Sequence, residues 1–220
     1  MKLDPSVREL YPDFIAAYAL VSGVTIEPTV EGLVERKQQV FSDLKARYGA
    51  VPAMDIPEVK AYRGLFKAIG ADPSSYRPAP EYLLRRALDD RFPAVNNLVD
   101  SCLLATVEHW VVIGAYDANK VKGEAITTLA KETEPFELID GRKLSPRLDE
   151  IVLRDDEKLL AAYTLGDAKA AMVAQKTTNA LMVIWNTSGV GRERVEAGLA
   201  AITKYARSYC GGHVEQSEIL

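Results

Sequence analysis

Residues 76–117 read YRPAPEYLLRRALDDRFPAVNNLVDSCLLATVEHWVVIGAYD, and the order of elements in this stretch decides the fold. Pro78 and Pro80 bracket a helix start, because the fixed φ of proline suits a first turn where its missing N–H has no helical partner to lose. Glu81 then falls in the favourable field of the helix N-terminus. Leu83, Leu84, Ala87 and Leu88 recur at the spacing of one buried face, Arg85, Arg86, Asp89 and Asp90 lie largely on the other, and Pro93 is expected to stop the helix. A second helix follows, with Val95, Leu98, Val99, Cys102, Leu103 and Val107 as its apolar stripe and Asn96 or Asn97 as its N-cap. Residues 111–116 are strand-like and end in the turn Asp117-Ala118-Asn119-Lys120.

Upstream, Asp4 and Pro5 have the form of a cap and first residue of a short helix, and 14–21 is an apolar run read as a buried strand. Residues 29–48 carry an amphipathic pattern that ends on Gly49; 56–69 form a third helix, with Pro57 at its first position and Gly70 closing it. Downstream, 125–130, 135–139, 150–154 and 159–165 are short β-prone runs separated by turn signals such as Asp140-Gly141, the pattern of a mostly antiparallel meander. Residues 178–185 form another buried strand, and 191–209 a closing helix with Val195, Leu199, Ile202 and Ala206 inward, stopped by Gly211-Gly212. The last residues, 211–220, are expected to form a frayed tail. Helices against a curved mixed sheet, in an α/β fold with α+β character, account for this order.

The 220 residues are 48% hydrophobic, which fits an ordinary globular protein. They read as one domain, in which residues 1–75 form an N-terminal region of helices and a strand and residues 76–210 a motif-bearing core. A net charge of −4 and a pI near 5.4 argue against a strongly electrostatic nucleic-acid binder. Two cysteines, Cys102 and Cys210, make neither a metal-ligand spacing nor a disulfide framework, so a reducing, cytoplasmic location is expected, with no metal. The charged N-terminus has no signal-peptide centre and no apolar run reaches about 18 residues, so no membrane association is expected.

Histidine is too sparse for a catalytic triad: His109 follows the second helix and His213 lies in the tail. Glycine is too scattered for a phosphate loop or dinucleotide fingerprint, and no cofactor is expected. Polar residues at element ends remain. Asn96, Asn97 and Asp100 crowd the first turns of a helix, where they are either caps or holders of a carbonyl or carboxylate. Tyr116 and Asp117 end the following strand. A late group comprises Tyr163-Thr164, Gly166-Asp167, Lys169 and Thr177-Thr178-Asn179; the threonines either start a strand or face a cleft shared with Asn97 and Asp100. Arg85, Arg86, Arg91, Lys204 and Arg207 lie near acids, which favours a solvated face over a basic patch.

The runs RPAPEYLLRRAL, FPAVNNLVDSCLLAT and VVIGAYDANKVKG resemble the B3/B4 module of the phenylalanyl-tRNA synthetase β subunit, and more closely its freestanding relatives. Asn96, Asn97, Val99 and Asp100 match that family's Asn-Asn-x-Val-Asp helix, and Ala115, Tyr116 and Asp117 its small-aromatic-Asp turn; the likeness covers most of residues 10–205. It implies a PheT/TilS-like three-layer β/β/α domain with a mixed sheet. It also implies an editing site that hydrolyses tyrosine misattached to tRNA for phenylalanine, chemistry in which water attacks a positioned ester without a side-chain nucleophile.

The chain departs from that pattern at several points. Gly114 stands where many synthetase modules have histidine, Cys102-Leu103 replaces a Thr-Asn pair, and a pocket glutamate is replaced near Val183. The resemblance therefore implies a freestanding tRNA-binding protein, contacting an aminoacyl-tRNA 3′ end weakly or transiently; if an enzyme, it is an aminoacyl-tRNA deacylase acting in trans. Pocket residues on this reading are Asn96, Asn97, Asp100, Gly114, Tyr116, Asp117, Tyr163, Lys169 and Thr178, with no catalytic residue assigned. Asn97 and Thr178 would position ligand or water, Asp100 or Asp117 would hold an amino group, and Lys169 would meet phosphate or an oxyanion. The alternative is a non-catalytic module with an eroded site, holding an amino-acid-like small molecule or a protein partner.

Overall fold

The computed structural model of the protein describes residues 1–131 and 134–220. After strand β1 (Lys2–Leu3), the Asp4 carboxylate accepts from Ser6 N at 2.9 Å and Pro5 opens helix α1 (Pro5–Leu10), as its sequence dictates. Buried strand β2 (Ala16–Ser22) and helices α2 (Glu31–Tyr48), α3 (Pro57–Ala68) and α4 (Ala79–Leu88) follow. Helix α5 (Asn97–His109) leads into β3 (Val112–Asp117). The meander is β4 (Ile126–Leu129), β5 (Phe136–Glu137), β6 (Lys143–Leu144), β7 (Ile151–Arg154), β8 (Leu159–Ala162) and β9 (Gly166–Asp167). Then come β10 (Asn179–Trp185), α6 (Arg192–Cys210) and β11 (His213–Ile219). Among the described residues no helix is long and apolar enough to cross a membrane.

Two main sheets form. One, in the order β11-β2-β10-β3, is antiparallel throughout; the other, β1-β4-β7-β8-β9, is parallel only between β1 and β4. The β5–β6 hairpin stands apart and turns at Gly141, whose φ of +86° is the conformation the Asp-Gly pair promises. On β10, Trp185 registers with Ala16 and Val112, and Val183 with Tyr18 and Gly114, so these residues share one face. That face meets the five-stranded sheet: Trp185 Nε1 donates to Thr127 Oγ1 at 3.0 Å, and its ring stacks on Tyr163 with centroids 5.7 Å apart. The opposite face, with Ile184, lies against α5 and α6; a Cβ on Gly198 of α6 would come within 2.8 Å of Val111 and 3.8 Å of Ile184. Sheet, sheet and helices make the three layers expected.

Four expectations are corrected. Helix α4 ends at Leu88, well before Pro93, because Asp90 takes a positive φ of 56° and breaks the turn. Helix α5 has no single apolar stripe: Val95 precedes it at 58% exposure, Val99 and Leu103 are half-buried, while Asn97, Ser101 and Leu104 are buried. It packs against α2, α4, α6 and β3, so its burial goes nearly all round. Gly49 caps α2 in the right-handed conformation, φ −59°, instead of the left-handed one that a C-terminal glycine suggests. The tail is not frayed, for Gly211 at φ 69° turns the chain out of α6 and launches β11 along β2.

One glycine has no packing reason. Gly64 lies inside α3, where it costs about 1 kcal/mol relative to alanine, yet a Cβ there would meet nothing within 4 Å.

Deleting residues 213–220 bares the edge of β2, a seven-residue strand with six buried-to-half-buried apolar positions beside open N–H and C=O groups. The truncated chain is expected to melt earlier and to sediment as larger species than the full chain. Identical sedimentation and melting would mean that β11 contributes nothing to the sheet.

Candidate functional site

The junction of the two sheets brings together the positions at which the sequence departs from its resemblance. Gly114 on β3 is the direct neighbour of Val183 on β10, and Tyr116 lies on the same face two residues further. The Tyr116 phenol folds back over Gly114, so an added Cβ there would overlap it, with Cζ 2.7 Å away. Its hydroxyl donates to Asp167 Oδ1 at 2.6 Å. Since Asp167 belongs to β9, this bond ties one sheet to the other, beside a single β-bridge between Tyr116 and Met172.

The electrostatics of the pair follow from burial. Desolvation pushes the Asp167 carboxyl up to about 6, with the Tyr116 hydrogen bond acting in the other direction. Asp167 as a residue is half-buried, but the atoms packed round its carboxyl make desolvation the larger effect. Burial first, and the Asp167 charge second, hold the Tyr116 phenol far above its ordinary value, so it remains a donor. Cys102, on α5 nearby, is 2% exposed; burial, with Cys210 and Asp167 adding, raises its thiol, which excludes a thiolate nucleophile. A desolvated carboxyl near neutrality beside a fixed phenol is an acid–base pair by composition.

Other residues expected at the site hold architecture. Asn96 caps α5, accepting from Val99 N at 2.9 Å. Asn97 is fully buried: Oδ1 accepts from Glu27 N and Leu98 N, and Nδ2 donates to the carbonyls of Thr25 and Tyr209, all within 3.0 Å. Asp100 accepts from Val95 N at 2.8 Å and pairs with Lys37 at 2.5 Å. Asp117 caps the turn after β3 and takes the Thr177 hydroxyl at 2.8 Å, with Lys120 at 3.5 Å. Tyr163 donates to Asn186 O, Thr164 to the buried Glu150, and the exposed Lys169 pairs with Glu137. Thr178 is exposed, and its carbonyl accepts from Val24 N; with Asn97 it grips the segment 24–27 from which Thr25 and Glu27 reach Asn97.

The arginines divide in the same way. Glu81, 0% exposed, joins α4 to α3 through Arg63, at 2.7 and 2.9 Å, and pairs with Arg85 on its own helix at 3.1 Å; Arg91 pairs with Asp89. His109 is half-buried at the end of α5, where burial lowers its pKa. Among the described residues no group of three or more His, Cys, Asp or Glu could hold a metal ion. Asp167 is absent from the expected pocket residues, yet the structure pairs it with Tyr116: it stands in the late polar group, but its partner lies 51 positions away and no local signal pairs them.

Comparison with known proteins gives a consistent picture. The profile of the B3/4 domain matches residues 61–211. A phenylalanine–tRNA ligase beta subunit of Protochlamydia amoebophila is 30% identical over 105 residues, 47% of this chain and 13% of that subunit. One from Corynebacterium diphtheriae is 25% identical over 204 residues, 81% of this chain and 24% of that subunit. The chain thus spans less than a quarter of the length of either relative. An N-terminal fragment of the phenylalanyl-tRNA synthetase beta subunit from Pyrococcus horikoshii superposes with a TM-score of 0.52 at 13% identity, over 99% of this chain and 53% of that one, a likeness of fold.

Asn97→Ala leaves Thr25 O, Tyr209 O and Glu27 N without partners in a dry site, an expected loss of about 3 kcal/mol or more in urea unfolding. A loss under about 1 kcal/mol would show that water reaches these groups. Asp167 has a folded pKa of about 6 against about 3.9 unfolded. Its protonated form therefore favours the fold, a contribution present below about pH 4 and lost as pH rises through 6. Asp167→Asn keeps an acceptor for Tyr116 and escapes that loss. Its gain in Tm over the wild type is expected to be larger at about pH 7.5 than at about pH 4; equal differences at both would rule out a desolvated carboxyl.

Proposed function

Because the chain belongs to the B3/4 domain family, we propose that it recognises the aminoacylated 3′ end of a tRNA and hydrolyses the ester in trans at the sheet junction. The observation that carries this reading is the Tyr116–Asp167 hydrogen bond, 2.6 Å long, with the carboxyl at about 6. A carboxylate with that pKa is ionised at neutral pH and still basic enough to take a proton from water. The water oxygen attacks the ester carbonyl, Asp167 receives the proton, and the tetrahedral oxyanion accepts a hydrogen bond from the Tyr116 phenol. The intermediate collapses by breaking the ester C–O bond, and the proton on Asp167 passes to the ribose oxygen. Free amino acid and deacylated tRNA are the products, with no side-chain nucleophile and no thiolate at Cys102. Tyr116 must leave Asp167 for this to happen; in the resting arrangement the phenol lies over the bare backbone of Gly114.

A second reading, a non-catalytic module that binds an amino-acid-like molecule, is favoured by one observation: the phenol already fills the space above Gly114. The acidic balance of the chain, −4 overall, fits either a weak tRNA contact or none.

The decisive experiment is a deacylation screen of charged elongator tRNAs with the wild type, Asp167→Asn and Tyr116→Phe. Asp167→Asn is informative because it keeps an acceptor for the Tyr116 hydroxyl, whereas Tyr116→Phe removes the donor and is read together with its unfolding curve. Multiple-turnover hydrolysis of one species is expected, reduced about 100-fold or more in Asp167→Asn and about 10- to 100-fold in Tyr116→Phe. The rate should rise with pH through about 6 and then level off, since the ionised carboxyl is the base. Failure to hydrolyse any species with enzyme in excess would leave the binding module.

A further inference from the structure

We propose that the cleft between α1, α3 and the loop 187–191 is a binding site for a free amino acid with an apolar side chain, separate from the sheet junction. The cleft has a volume of about 420 Å³, within the ordinary range of small-molecule sites. Its floor is Phe14, Ala61, Leu65 and Ala68, with Gly64 between them. Ala61, Gly64 and Ala68 are one stripe of α3, so the helix presents almost bare backbone there.

Three observations point to a ligand, the last two independent of that stripe. Gly64 weakens its helix, and empty space rather than a neighbour lies where its side chain would be, which is the signature of a backbone kept clear for close approach. Thr187 is 1% exposed, lines the cleft, and has no hydrogen-bond partner for its hydroxyl among the described residues. Asp13 and Lys60 stand at the rim with opposite charges. Neither is in an ion pair among the described residues, and the Asp13 carboxylate holds only the Ser188 hydroxyl, at 2.7 Å.

A molecule that satisfies all of this has an ammonium for Asp13, a carboxylate for Lys60 and Thr187, and an apolar group for the floor. An apolar α-amino acid carries all three on adjacent atoms. A nucleotide would set its phosphates against Asp13, and a purely apolar molecule would leave both charges and the Thr187 hydroxyl without a role.

The test is titration of isotope-labelled full-length protein with each free amino acid, read by backbone amide NMR. One or more of leucine, isoleucine, valine, methionine and phenylalanine should shift amides of residues 61–68 and 187–189, while their N-acetyl and amide derivatives should not. Gly64→Leu, which the empty space accommodates, should abolish these shifts with the fold intact. Asp13→Asn and Lys60→Ala should each weaken binding about tenfold, the effect of one charged hydrogen bond. Asp167→Asn should leave it unchanged. The proposal is overturned if no amino acid shifts these amides at about 10 mM, the concentration that still reports a very weak site. It is also overturned if binding survives Gly64→Leu or is lost in Asp167→Asn, which would move the amino acid to the sheet junction.

Discussion

The Asn97 carboxamide has two donors and two lone pairs, no contact with water, and four partners inside the protein. Leaving any one of them unmade would cost about 1–3 kcal/mol, so three distant segments must meet at this side chain: the start of α5, the loop residues 25–27 that follow β2, and the end of α6. Much of the rest follows. Fixing the carbonyl of Tyr209 fixes where α6 stops, and Gly211 then aims β11 at β2. Holding Thr25 and Glu27 fixes where β2 ends, and β2 sets the register of β10 and, through it, β3.

The two sheets are joined differently at their two ends. At one, Trp185, Tyr163 and Phe14 interlock as aromatic rings, a contact of area and shape with Thr127 accepting from the indole. At the other, the contact is polar: a β-bridge between Tyr116 and Met172, and the bond from Tyr116 to Asp167, an acid whose ionisation is opposed by its surroundings. The first end is apolar and insensitive to pH; the second is polar, and its charge state changes near neutrality. Chemistry in a fold of this kind is most readily lodged at such an end, where little packing has to be given up for a side chain to move.

What the sequence reveals depends on how far a signal must reach. The starts of α1, α3 and α4 are legible because Asp4, Pro5, Pro57, Pro78 and Pro80 act on their own turns. Strand β10 is legible because an unbroken apolar run bounded by polar residues has few other uses. Helix α5 is misread because periodicity presumes one face in water, and this helix has neighbours on nearly every side. Strand β11 is missed because HVEQSEI is polar and mostly exposed; its order comes from main-chain bonds to residues about 200 positions earlier. The same distance rule governs the site. Gly114 and Tyr116 are named through resemblance and do stand together, whereas nothing local singles out Asp167, and the remote partners of Asn97 and Asp100 are invisible at the level of local pattern.

Gly114 and Tyr116 also constrain the order in which this chain can change. Any larger residue at 114 meets the phenol of Tyr116, but a smaller residue at 116 meets no obstacle at 114. A lineage or a library can therefore pass through substitutions at 116 and then at 114, while the reverse path meets the phenol within β3 and requires it to turn aside. A side chain at position 114 is accommodated once the tyrosine has gone or has swung away from Asp167, so the two positions change most easily in one order.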